Sequence, residues 1–196
     1  MRVQSYVTVA TTDSTLMAQV SEGKIGQLAI LFERHHRGLF RYFLAMKRDR
    51  EIAEDLVQDV FFRMLRYRET YDPAQPFTAW MYQIARNAGV DLARKRRGDV
   101  VDIDEYAERR PEFASVAPNP EQAAAHRQDL ALLRRALDLL PSDKREILVL
   151  SRFQGMKYED IATVLGCEPG TVKVRVYRAV RALEELYTSL EQEKVS

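Results

Sequence analysis

The sequence predicts an all-α protein made of two small helical domains joined by a flexible acidic linker. In the long segments on either side, apolar residues recur at three- and four-residue steps, the period of a helix with one buried face. The stretch between them lacks this period, contains Pro118-Asn119-Pro120, and within 98–125 carries 2 Lys/Arg against 7 Asp/Glu. We therefore divide the chain into an N-terminal extension (1–12), a first domain (13–97), a linker (98–120) and a second domain (121–196).

Composition narrows the class of protein. The 196 residues are enough for a core in each of two small domains. A single cysteine, Cys167, excludes an internal disulfide and a Cys-rich zinc site. The sequence has no signal peptide and no apolar run of bilayer length, so a cytoplasmic protein without membrane insertion is expected.

In the first domain, the periodicity predicts a short helix followed by three long ones. Asp13 or Ser14 is expected to cap the short helix, which Gly23 closes. The long helices are predicted over 26–47, 49–67 and 77–97, and two prolines interrupt the pattern between the last two.

Two surfaces of this domain can be interpreted in more than one way. The helix over 49–67 has a largely acidic outer side, which is either solvated or a docking surface for a basic partner, and the residues alone favour solvation. The aromatic loop with Tyr67 and Tyr71, followed by a basic helix end at 94–97, suits the binding of single-stranded nucleic acid. A solvated basic helix end explains that run equally well.

The second domain is predicted to contain four helices, two supporting and two presented. The first spans 121–140, and Ser142 is expected to cap the next, over 143–153. The last two form a helix-turn-helix: a short helix from Tyr158 to Leu165, Gly166 at the turn, and Pro169 in the first turn of a longer helix.

The long last helix has one apolar and one basic side. At about 100° per residue its apolar stripe lies opposite a basic and aromatic face, which suits the DNA major groove. A solvated outer face is the alternative reading. The stripe comprises Val172, Val176, Ala179, Leu183 and Leu186.

No catalytic or metal site is predicted, and no cofactor. Glu33 and His36 have the Glu-x-x-His spacing of half a di-iron site, but the chain lacks the second pair. His35 and His36 are therefore expected at the core edge and the surface. No Gly-rich phosphate loop or nucleophile motif is present.

Two motif blocks resemble bacterial sigma-70-type sigma factors of the extracytoplasmic-function (ECF) group. Residues 53–65 (AEDLVQDVFFRML) with 76–97 (PFTAWMYQIARNAGVDLARKRR) resemble the family's region 2. Residues 140–186 resemble its region 4, including the helix-turn-helix. The resemblance covers about residues 18–190, and it implies transcription initiation rather than catalysis.

The resemblance implies roles for particular residues of region 2. It implies docking on the clamp helices of the polymerase β′ subunit through Asp55, Gln58, Asp59 and Phe61, which match the pattern AED-x-x-Q-(D/E)-x-F. Binding of the melted −10 promoter element, with one base flipped out, is assigned to Tyr67, Tyr71, Arg86, Asn87, Arg94, Lys95 and Arg97. Trp80 and Ile84 are expected to hold the fold.

Region 4 is implied to bind the −35 duplex and, on the polymerase, the β flap. The −35 residues are Lys173, Val174, Arg175, Tyr177, Arg178 and Arg181. Lys173 or Arg178 can reach guanine, whereas Arg175 and Arg181 are expected at phosphates. The family commonly has Ser at position 174, and valine there favours contact with a thymine methyl.

The resemblance thus implies core RNA polymerase, promoter DNA and an anti-sigma factor as partners. A stand-alone helix-turn-helix regulator is the alternative reading, and it would bind duplex DNA without polymerase. A small helical enzyme or metal protein is a third class, disfavoured by only three histidines.

Overall fold

The computed structural model describes residues 11–98 and 120–195, and every regular element in these segments is helical. The α-helices are α1 (Asp13–Ser21), α2 (Gln27–Lys47), α3 (Arg50–Arg66), α4 (Phe77–Gly98), α5 (Pro120–Leu139), α6 (Ser142–Leu148), α7 (Tyr158–Leu165) and α8 (Pro169–Val195). A 3-10 turn (Arg68–Thr70) follows α3, and a π-helical turn (Val149–Phe153) continues α6. The all-α prediction is confirmed. Most of the predicted extension and linker lies outside the described residues.

Helices α1 to α4 form a first unit, in which α2 packs on α3, α3 on α4 and α1 on α2. Residues at helical spacing supply its core because each helix turns one apolar face inward. The largest of these side chains that are at most 1% exposed are Met17, Val20, Leu31, Leu39, Phe43, Val60, Met64 and Met81.

The start of α1 differs from the sequence prediction. Thr12 is its N-cap, and the Thr12 hydroxyl accepts a hydrogen bond from the amide of Thr15 at 3.2 Å. The expected caps, Asp13 and Ser14, are wrong by one and two residues. The Asp13 carboxylate instead accepts bonds from Arg34 and His35 of α2, each at 2.7 Å, so it fixes α1 onto α2.

Helices α5 to α8 form a second unit, in which α5, α6 and α7 all pack on α8. Its α6 begins at Ser142, and Pro141 occupies the N-cap position without a side-chain bond. The expectation that Ser142 caps this helix is therefore wrong, because Ser142 already has helical backbone. The amide of Gln154 then donates to the carbonyl of Val149 at 3.0 Å, which closes the π-helical turn.

One arginine of the second unit is structural. Arg145 is 8% exposed and donates to the carbonyls of Leu137 at 2.8 Å, Asp138 at 2.9 Å and Leu140 at 2.8 Å. The last carbonyls of a helix have no partner within it. Arg145 therefore satisfies the end of α5 and the chain just after it.

The two units pack against each other, which the sequence did not predict. Helix α4 contacts α7, while α2 contacts α6 and the π-helical turn. Buried apolar side chains from both units belong to one continuous cluster. The fold therefore places α7 in contact with both candidate DNA-binding helices, α4 and α8.

Candidate nucleic-acid and polymerase interface

Helices α7 and α8 have the geometry of a helix-turn-helix. Gly166 ends α7 with a φ of 63°, a left-handed conformation that glycine adopts without steric cost. The amide of Cys167 closes the turn by donating to the carbonyl of Ala162 at 3.0 Å. Helix α8 begins at Pro169, as its sequence predicts.

The two sides of α8 are separated as predicted. Val172, Val176 and Ala179 are at most 3% exposed and pack in the core. On the other side Val174 is 47% exposed and Tyr177 67% exposed, although both are large apolar side chains. The remaining candidate −35 residues are exposed as well: Lys173, Arg175, Arg178 and Arg181.

The candidate DNA face of α8 makes few contacts within the protein. Arg181 lies 3.4 Å from the carboxylate of Glu184, one turn further along the same helix. Both side chains are about 60% exposed, so this pair contributes little to stability. A convex face of cations around one aromatic and one aliphatic side chain suits a groove with phosphate walls and base edges.

The candidate −10 residues of α4 have a different environment. The guanidinium of Arg86 lies 3.3 Å from a carboxylate oxygen of Glu146 in the second unit. Asn87 and Lys95 are exposed, and Arg94 donates to Asp91 at 2.7 Å. The side chain of Arg97 lies outside the described residues.

The two tyrosines of the loop before α4 differ in their exposure to solvent. Tyr67 is 44% exposed, and its ring lies 5.7 Å from the Arg66 guanidinium carbon. Tyr71 is 6% exposed, its ring centroid 5.0 Å from that of Trp80, and its hydroxyl donates to the carbonyl of Gln75. The expectation of an exposed base-stacking Tyr71 is not met here, because core packing takes up its ring.

Trp80 and Ile84 hold the fold, as expected. Trp80 is 8% exposed and Ile84 9% exposed. The Trp80 ring also lies 6.4 Å from that of Phe77, so the start of α4 is anchored by a cluster of aromatic rings.

The candidate polymerase-binding face of α3 is only partly exposed. Asp55 and Gln58 are exposed. Phe61 is 7% exposed and packs with its ring centroid 4.9 Å from that of Phe32, so it belongs to the core. Its neighbour Phe62 is 64% exposed, and sequence reasoning missed it. Phe61 lies at helical spacing from the buried Val57 and Met64, whereas Phe62 lies off that stripe, and this period is the signal that could have identified Phe62.

An arginine links this face to α4. Arg63 donates to Asp59 at 2.9 Å and to Asp91 at 2.7 Å. The hydrogen bond from Arg63 is the main reason that the pKa of Asp91 lies below its usual value. Asp59 and Asp91 are therefore held in fixed positions, rather than extended freely into solvent.

His35 and His36 have partners close by. His35 contacts Asp13, and the Nδ1 of His36 lies 2.8 Å from the carbonyl oxygen of Phe32. Within the two described segments, no three His, Cys, Asp or Glu side chains are grouped as metal ligands would be. None of the helices in these segments has both the length and the apolar character that a bilayer crossing needs.

Comparison with known families agrees with this arrangement. A family model described as Sigma-70 region 2 matches residues 31–98, and one described as Sigma-70, region 4 matches residues 130–183. The first match runs from within α2 to the end of α4, and the second covers most of the second unit. Their fold and order define the class of sigma-70-type initiation factors.

Similarity to individual sigma factors identifies the group within this class. The RNA polymerase sigma factor CarQ of Myxococcus xanthus is 33% identical over 90% of this chain and 98% of its own length. The ECF RNA polymerase sigma factor EcfG of Rhodopseudomonas palustris is 36% identical over 74% of this chain and 76% of its own length. The chain belongs to the ECF sigma factor family, and its function is that of a sigma factor.

Two solved structures share the fold. CnrH in complex with the cytosolic domain of CnrY aligns with a TM-score of 0.68 and 27% identity, over 90% of this chain and 97% of that one. The sigma factor RpoE of Bartonella quintana, in complex with the anti-sigma factor NepR, aligns with a TM-score of 0.65 and 28% identity, over 82% and 96%. Both alignments extend over the two units together.

Proposed function

We propose that this sigma factor binds core RNA polymerase through region 2 (residues 31–98) and directs it to promoters. In this proposal region 4 (residues 130–183) reads the −35 element as duplex, and region 2 binds the −10 element as a melted strand. The observation that carries the proposal is the exposed basic face of α8 in a chain that also contains region 2.

The −35 contact is supported by the orientation of α8. Its buried stripe fixes the helix on the second unit, so Lys173, Val174 and Arg178 project outward together. An arginine or lysine can donate to the O6 and N7 atoms of guanine in the major groove. Arg175 and Arg181 serve as phosphate contacts, which set the register of the helix on DNA.

The −10 contact is supported by exposed groups around α4. Tyr67 offers an exposed ring for stacking on an unpaired base, and Asn87 offers an amide for a base edge. Arg94 and Lys95 offer positive charge for the backbone of the separated strand. Tyr71 supports this surface from beneath, as part of the aromatic core under α4.

The polymerase contact is supported by the outer face of α3. Asp55 and Gln58 provide exposed polar groups, and Phe62 provides an exposed apolar ring beside them in sequence. Large aromatic side chains at the centre of an interface contribute much of its binding energy. We therefore include Phe62, in place of Phe61, in the surface that meets the polymerase β′ subunit.

An anti-sigma factor is a further proposed partner. The aligned RpoE structure contains the anti-sigma factor NepR. Since the likeness to that sigma factor extends over both units of this chain, an anti-sigma factor is the proposed kind of regulator.

Run-off transcription with purified core polymerase tests the proposal. Addition of the chain is expected to give promoter-specific transcripts that core polymerase alone does not make. Phe62→Ala is expected to weaken binding to core, whereas Glu22→Ala, at an exposed position outside these surfaces, serves as the control.

A stand-alone regulator would give the opposite pattern. Such a protein would bind promoter duplex tightly without core polymerase, and adding it to core would not start specific transcription. That result would overturn the proposed function.

A further inference from the structure

One carboxylate of the second unit is bonded to two helices of the first. Glu146 of α6 accepts a hydrogen bond from the hydroxyl of Tyr42 of α2 at 2.8 Å. It also lies 3.3 Å from the guanidinium of Arg86 of α4. The Glu146 side chain is only 12% exposed and Tyr42 is 3% exposed, so water competes little for these bonds.

Three further polar contacts join the two units. The Gln83 amide donates to the carbonyl of Thr163 at 2.9 Å, and the Gln154 amide donates to that of Gly38 at 3.2 Å. Arg48, at the end of α2, pairs with Asp138 of α5 at 3.2 Å. These bonds each cross from one unit to the other. When the units separate, a carbonyl or carboxylate loses its donor. Separation is then costly unless water takes the place of that donor.

A glycine permits the close approach. Gly38 lies in the interior of α2, where glycine is less favourable than alanine by roughly 0.5–1 kcal/mol. A Cβ atom at this position would lie 3.3 Å from the Gln154 side-chain oxygen and 3.5 Å from the Tyr82 hydroxyl. Glycine at this position therefore leaves room for the segment that follows α6 to pack against α2.

This arrangement is incompatible with simultaneous binding of both promoter elements. Helix α7 packs on α4 and also on α8, and packed helix axes lie about 8–10 Å apart, so α4 and α8 lie within about 20 Å of each other where both pack on α7. The names −35 and −10 mark positions about 25 base pairs apart, which is about 85 Å of duplex at 3.4 Å per base pair. The units must separate before both helices reach DNA.

We propose that Glu146 is the latch of a closed state, in which region 4 covers part of α4 and withholds Arg86 from DNA until the two units separate. The withheld DNA contact of Arg86 rests on the proposed function, whereas the latch itself does not. In the closed state the carboxylate of Glu146 substitutes for the phosphate or base that Arg86 would otherwise meet. The burial of Tyr42, with the adjacent Glu146 charge, raises the pKa of its hydroxyl and keeps it a donor.

Distance measurements on the full chain test the latch. In a Cys167→Ser background, dyes on Lys24→Cys and Glu191→Cys report the separation of the units by single-molecule energy transfer. Glu146→Ala is expected to raise the ratio of open to closed molecules about tenfold, since it removes a charged acceptor with two partners. Tyr42→Phe is expected to raise it less, because Arg86 keeps its pairing.

Two further variants control the measurement. Gly38→Leu is expected to open the molecule by steric conflict with Gln154, without altering any charge. Glu22→Ala removes an exposed carboxylate in the first unit and is expected to leave the ratio unchanged. Circular dichroism establishes that each variant keeps its helices.

The outcomes separate the latch from the proposed function. If Glu146→Ala keeps the helical content but leaves the energy transfer of the closed state unchanged, the latch is overturned. Run-off transcription with core polymerase is measured in parallel. Failure of the wild-type chain in that assay overturns the proposed function, while the energy transfer still tests the latch. Faster association of Glu146→Ala with core supports both.

Discussion

Helices α4 and α8 are both candidate DNA-reading helices, but their surroundings differ. The outer face of α8 has exposed Lys173, Val174 and Tyr177. Arg181 on the same helix pairs with Glu184, also of α8. On α4, Arg86 is paired with Glu146 and Gln83 is bonded to Thr163. A duplex presents its groove without rearrangement, so a preformed face is sufficient for α8. The strand that α4 is proposed to bind exists only after melting, and Arg86, one part of the proposed binding face, stays paired with the second unit until the units separate.

The largest expected effect is a difference in stability between a variant of Trp80 in α4 and a variant of Tyr177 in α8. Trp80→Ala removes a buried ring beneath α4 and is expected to lower the free energy of unfolding by roughly 3–5 kcal/mol. Tyr177→Ala, on exposed α8 surface, is expected to change it by about 0.5 kcal/mol or less while weakening −35 binding. Urea unfolding of both variants measures the difference. Equal destabilisation by the two would contradict the assignment of one ring to the core and the other to DNA.

The arginines provide a second comparison. Arg145→Ala leaves the carbonyls of Leu137, Asp138 and Leu140 without their donor, and we expect a loss of roughly 2–3 kcal/mol in stability. Arg175→Ala, at an exposed position of α8, is expected to change stability by about 0.5 kcal/mol or less and to weaken DNA binding at every sequence. Thermal unfolding of the two proteins measures their stability, and promoter binding by their holoenzymes measures the effect on DNA. A stable Arg145→Ala protein would show that water replaces the guanidinium.

The helices themselves were largely predictable from the sequence. Their apolar period placed Val172, Val176 and Ala179 inside and the basic face of α8 outside, and Gly166 and Pro169 marked the turn. These signals are local, since they depend on steps of three and four residues along one helix.

What the sequence did not predict depends on packing between distant segments. Tyr71 and Tyr67 are both aromatic loop residues, and the packing of Phe77 and Trp80 against Tyr71 determines that this one is buried. Glu146 lies 104 residues from Tyr42 and 60 from Arg86, so no local pattern connects them. Phe61 is a different case, because its helical position indicated burial and the family motif was given more weight.

Two arginines of α8 test how the exposed face reads DNA. Arg178→Ala is expected to cost about 1–3 kcal/mol in discrimination between −35 sequences, because an arginine on a base edge carries specificity. Arg181→Ala is expected to reduce the slope of log affinity against log salt by about 1, with little change in sequence preference. Holoenzyme binding to matched promoters at several salt concentrations measures both quantities. An unchanged sequence preference in Arg178→Ala would instead place that guanidinium on phosphate.

The smallest expected effect concerns Val174, at the centre of the exposed face of α8. Its side chain cannot hydrogen-bond to DNA, but its methyl groups can pack on a thymine methyl in the major groove. Because one buried CH₂ contributes about 0.8 kcal/mol, Val174→Ser is expected to lower the preference for thymine at the contacted position by about fourfold. Val174→Thr keeps one methyl group and is expected to retain more of this preference. Sequencing the run-off transcripts of a −35 promoter library measures the preference for each variant. If serine leaves it unchanged, Val174 does not face a base, and the choice of −35 sequence then depends on Lys173 and Arg178.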